Sequence, residues 1–131
     1  MSLYVGIFRG DAEVEGWVVG QYSDFGYFRD VISQHFEPRE LPLLLQSSDC
    51  EAAFSPPELP ALRAELARVR SRFSELPPVV PNRAFEHNQL LWSRAGSLLG
   101  CFHNVDGEPL VDALIHLAER GIDENAQLLF Q

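Results

Sequence analysis

Lysine is missing from this chain; all ten basic residues are arginine. Cysteine is scarce. Cys50 and Cys101 stand far apart, follow no CxxC pattern and are expected to be free thiols, so neither a disulfide framework nor a cysteine-based zinc site is indicated. Long apolar runs are absent too. The longest, Leu43 to Leu45 with its neighbours, is far too short to cross a bilayer. No basic start followed by an apolar stretch marks a signal peptide, so a cytoplasmic protein is expected. The chain has no GxSxG, no dinucleotide fingerprint and no phosphate-binding loop. His35, His87, His103 and His116 include no pair at zinc-ligand helical spacing. Cys101 and His103 alone fall short of the three or four ligands zinc needs.

What is present is an ordinary globular composition, 46% hydrophobic and 22% charged over 131 residues, which argues for one folded domain, 1–131, and against disorder. Such a chain is large enough to fold without a metal or disulfide staple, and no cofactor is expected. Nineteen acidic residues against ten arginines give a net charge of -9. The acid is uneven: residues 1–60 carry ten acidic residues and three arginines, a balance of -7, and the remainder carries -2. This field repels nucleic acid and anionic membranes and draws in cationic partners. It also serves plain solubility.

The richest segment is Gly16–Ile32, with Trp17, Tyr22, Phe25, Tyr27 and Phe28 punctuated by Gly16, Gly20 and Gly26. Leu3–Phe8 and Glu13–Gln21 read as two strands around a turn at Gly10-Asp11, a hairpin. Ser23 or Asp24 is expected to cap a helix whose apolar face is Phe25, Phe28, Ile32 and Phe36, ended by Glu37-Pro38. Leu41–Gln46 reads as a short buried strand or extended segment, and Ser47–Glu51 as a polar turn.

Ser55-Pro-Pro-Glu58 is a capping box with proline at the first helical position. Leu59, Leu62, Leu66, Val69 and Phe73 then form one apolar stripe. Arg63, Arg68, Arg70 and Arg72 lie off it, as a solvated face expected to pair with Glu65 and Glu75. Leu76–Asn82 is a proline-rich connector. A third helix is expected to follow it, with Leu91, Trp92, Ala95, Leu98, Leu99 and Phe102 supplying its core face. Asp106 is expected to cap a fourth, with Leu110, Leu114, Leu117 and Ala118 inward and Gly121 as its stop. Leu128–Phe130 closes the chain as a strand. Strands at both ends with helices between them indicate an α+β fold: a small, largely antiparallel sheet with about four helices packed on it.

No catalytic constellation assembles. Asp49/Glu51 and Asp106/Glu108 are the paired carboxylates that could hold a metal or work as acid and base, but each pair sits in a turn before a helix start, where acids cap and complement the dipole. Asp49, Glu51 and Phe54 precede a helix that Ser55 already caps, and with Tyr22 and Asp24 they make loops of the kind that bind partners.

Three segments together, GWxxGxYSDFxxFR (Gly16 to Arg29), SDCEAAFSPPELPALRAEL (Ser48 to Leu66) and CFxNVDGEPL (Cys101 to Leu110), with the closing LFQ, resemble the immunity protein 70 family. These are bacterial immunity proteins encoded beside polymorphic secreted toxins. The resemblance runs nearly the whole length. The chain departs from the family's pattern at Asp49-Cys-Glu-Ala-Ala-Phe54, where an Asp-Cys-Asp-Gly turn followed by an aromatic is expected. The resemblance implies a cytoplasmic, non-enzymatic protein whose partner is a cognate toxin domain. An acidic inhibitor suits a basic toxin, a nuclease cleft above all, with Tyr22, Asp24, Asp49, Glu51, Phe54, Glu13 and Glu15 as the contact residues. The alternatives are a small metal-assisted hydrolase or transferase built on Asp49/Glu51 or Asp106, and an adaptor whose acidity only keeps it soluble.

Overall fold

The computed structural model describes residues 2–46, 52–78 and 94–131. The expected hairpin is there: β1 (Ser2–Arg9) pairs antiparallel with β2 (Ala12–Gln21). β3 (Ala52–Phe54) and β4 (Gln127–Phe130) extend it, β4 against β1 and β3 against β4, in the order β2-β1-β4-β3. These three pairings are all antiparallel. Leu3, Val5, Ile7, Val19, Phe54, Leu128 and Phe130 turn one face of the sheet into the core. Tyr4, Phe8 and Leu129 stand half-exposed on the other face.

The hairpin register shifts between Ile7, paired with Glu15, and Phe8, paired with Glu13. Residues two apart in a strand normally share a face. Here the extra residue, Val14, sends Glu15 to the helix-covered side with Ile7 and leaves Glu13 on the other with Phe8. Tyr4 donates its hydroxyl to the Glu13 carboxylate. That bond, with partial burial and the carboxylate charge, pushes the phenol up to about 12.

Among the described residues four helices follow the α+β expectation: α1 (Tyr22–Ser33), α2 (Pro42–Gln46), α3 (Leu59–Glu75) and α4 (Leu110–Glu124). α1 starts earlier than the sequence indicates. Its N-cap is Gln21, not Ser23 or Asp24; Asp24 sits at the third helical position and accepts the Gln21 N–H at 2.6 Å. Gly20 makes room, since its φ of +148° is glycine territory and any Cβ would run into that carboxylate. The helix also ends sooner, at Ser33 rather than at Glu37-Pro38.

Leu41–Gln46 is no strand. Pro42–Gln46 forms one helical turn whose exposed backbone groups are met by side chains from both neighbours. Buried Glu65 on α3 accepts the Leu43 and Leu44 N–H groups at 3.1 and 3.0 Å, and Arg29 on α1 donates to the Leu44 and Leu45 carbonyls at 3.1 and 3.2 Å. The polar turn read at Ser47–Glu51 lies outside the described residues, as does Cys50.

The Ser55–Glu58 capping box forms as expected, with Ser55 N–H on Glu58 at 2.9 Å, and Pro56–Glu58 is a 3-10 turn leading into α3. Leu59, Leu62, Leu66, Val69 and Phe73 are all buried. The arginine face is exposed but pairs elsewhere: Arg68 with Glu40 and Arg70 with Asp112, not with Glu65 and Glu75. Phe28 sits among Phe25, Phe73 and Phe102, at ring separations of 5.8, 6.4 and 5.1 Å, knitting α1, α3 and the chain before α4.

The third helix is not found in the described part of its span. Residues 94–97 are turns and Leu98–Cys101 is a single 3-10 turn, with Leu98 and Phe102 buried as read; Leu91 and Trp92 lie outside the described residues. In α4 the inward set Leu110, Leu114, Leu117 and Ala118 is buried. Asp106 does not cap it; Pro109 precedes its first residue. Nor does Gly121 stop it. A Cβ there would lie 2.6 Å from Leu59 Cδ1, so glycine lets α3 and α4 approach, and the helix runs on to a left-handed Asn125.

A candidate acidic cleft between β2 and the last helix

β2 and α4 diverge around a cleft of about 250 Å³ lined by Glu15 and Trp17 from β2, Glu108 and Pro109 from the turn before α4, and Asp112, Ala113 and His116 from α4. Three carboxylates thus face an aromatic and two small apolar side chains. The bulge at Val14 points Glu15 here. Its carboxylate takes Arg120 on Oε1 and His116 on Oε2, both at 3.1 Å. Asp112 in the first turn of α4 uses Oδ1 on Arg70 Nε at 2.6 Å. Trp17, 9% exposed, pairs with Val5 and forms part of the wall.

Asn104 builds the far lip. Fully buried, its Oδ1 accepts the Asp106 and Glu108 N–H groups at 3.1 and 3.0 Å, closing the turn, and its Nδ2 donates to Glu108 Oε1 at 3.0 Å. The turn is fixed to the sheet by Val105 N–H on the Val18 carbonyl at 3.3 Å. His103, beside it, is buried, which depresses its imidazole below the ordinary histidine range and favours the neutral ring.

The residues singled out in the sequence are not gathered at one place. Glu15 lines the cleft. Glu13 is exposed on the opposite side of the sheet. Tyr22 is half-buried in the first turn of α1, packed against the core. Asp24 is fully buried in the α1 capping box, and Phe54 is core, 6.1 Å from the Phe130 ring. Asp49 and Glu51 lie outside the described residues. Trp17, Glu108, Asp112 and His116 were missed as a group because two distant stretches of chain supply them. The local sign is Asn104-Val-Asp-Gly107, which reads as a turn with Asp106 as a helix cap and does not by itself point to a cleft.

Among the described residues no group of three or more His, Cys, Asp or Glu is placed to hold a metal ion. Among the same residues no helix is long and apolar enough to cross a membrane. The cleft carries acceptors and an apolar wall, the means to hold a cationic group.

The chain matches the family model described as Immunity protein 70 over residues 3–130, and it belongs to that family. No curated protein and no solved structure matches it.

Proposed function

We propose that this chain protects the cell that makes it by binding a cognate polymorphic toxin in the cytoplasm and covering the toxin's active site with an acidic surface. Family membership across residues 3–130 is the observation that carries the reading. The charge supports the mode of action. A balance of -9, concentrated in the first 60 residues, favours a basic partner, and a nuclease with a cleft for nucleic acid is the toxin class that fits. The inhibitor then stands in for the substrate backbone and works by occupancy, without chemistry of its own.

The contact surface in this proposal runs from Tyr22 and Glu15 on one side to Glu13 on the other, with Asp49 and Glu51 in the segment before β3. Asp24 and Phe54 contribute by bracing α1 and β3. Long-range attraction speeds capture and half-buried aromatics anchor the complex. Co-expression with the toxin domain encoded beside it is the test. Rescue of growth, with a complex on a sizing column, is the expected result; dead cells containing soluble, folded chain and no complex refute it.

A further inference from the structure

We propose that the cleft between β2 and α4 receives an arginine side chain of the toxin, so that it is the recognition pocket within the acidic surface; this rests on the toxin-binding reading above. Size is the first argument. At about 250 Å³ the cleft lies below the usual range for sites of drug-sized ligands and suits one side chain.

Its acceptors are the second argument. Asp112 commits Oδ1 to Arg70, and Glu108 commits Oε1 to Asn104. Among the described residues the second oxygen of each is available to a further donor. The two carboxylates stand four residues apart at the start of α4, where the turn built by Asn104 and the helix backbone hold them. A planar guanidinium, with five donors in a fixed fork, can address both; an ammonium is a point charge.

The wall is the third argument. Trp17, Pro109 and Ala113 give an apolar surface for the methylene stem and for the guanidinium plane. Charge selects the sign of the guest. Glu15, Glu108 and Asp112 outnumber Arg70 and Arg120, within a molecule of -9. A metal ion is the competing cation, and no group of three ligating side chains among the described residues is placed for one.

The test compares three full-length proteins against the purified toxin domain: the wild type, Glu108→Gln and Asp123→Asn. Glu108→Gln retains Oε1 for Asn104 and changes only the oxygen offered to the guest. Asp123 is exposed on α4 and does not line the cleft, so Asp123→Asn makes the same charge change elsewhere. Glu108→Gln should weaken binding on the order of tenfold, the value of a charge-assisted hydrogen bond, and Asp123→Asn by less than about twofold. One toxin arginine, replaced by methionine, should lose as much and show no further loss when combined with Glu108→Gln. Wild-type affinity in Glu108→Gln, or an equal loss in Asp123→Asn, overturns the pocket while leaving the toxin-binding reading intact. A wild-type chain that forms no complex ends both.

Discussion

Glu65 is a carboxylate 6% exposed on α3, and replacing it with alanine tests how the fold is tied together. Its two oxygens accept the N–H groups of Leu43 and Leu44, adjacent residues in the first turn of α2. A five-residue helix has no stability of its own. Alanine removes the carboxylate that accepts both, one of them in a fully buried bond, and each unmet buried donor costs about 1–3 kcal/mol. Water entering the space vacated lowers the sum, so Glu65→Ala should destabilise by about 2–5 kcal/mol, a large part of the 5–15 kcal/mol typical of a domain. With a urea slope of roughly 1–3 kcal/mol/M the midpoint should fall by about 1–3 M. Hydrogen exchange supplies the local readout: the Leu43 and Leu44 amides should lose protection more than the α3 amides do. Glu65→Gln keeps one acceptor and should fall between. A midpoint unchanged in Glu65→Ala, or uniform loss of protection, would show that α2 is held by its leucines alone.

Three further expectations rest on other parts of the molecule. Leu66→Ala, at the centre of the α3 stripe, should cost about 2–5 kcal/mol in a denaturant titration, because a buried leucine loses transfer energy and leaves a cavity. Tyr4 holds its proton to about 12 while a free tyrosine releases it near 10, so between these values the unfolded chain binds fewer protons and stability falls as pH rises. Tyr4→Phe should flatten that fall, and equal slopes in the two proteins would remove the Tyr4–Glu13 bond as its cause. Toxin association should slow with ionic strength, and Glu13→Arg should slow it at low salt; a rate indifferent to salt would exclude electrostatic steering.

The hairpin, the α3 stripe, the inward face of α4 and the closing strand were legible because each is written locally, in alternation, a three-four spacing or a capping box. The errors lie where a distant residue decides. Leu41–Gln46 looks like a strand until Glu65 and Arg29 arrive from other helices to satisfy its ends. Ala52–Phe54 has too little strand character to declare itself and becomes a strand by pairing with β4, some seventy residues on. Gly121 resembles a helix stop, but its lack of a side chain serves the contact with Leu59. The same reason hid the cleft. Glu15 stands out in the sequence for its charge alone, and the face it occupies depends on the bulge at Val14, which no pattern in the strand announces. His116 and Arg120, about a hundred residues further on, complete its surroundings.

The most direct measurement is the activity of the purified toxin domain titrated with this chain. An inhibitor that works by occupancy should reduce activity linearly and abolish it at one chain per toxin, with activity returning when the complex is dissociated. Full activity at a large excess of folded chain would contradict the account. So would irreversible loss at far less than one chain per toxin, since a protein that acts many times over is an enzyme.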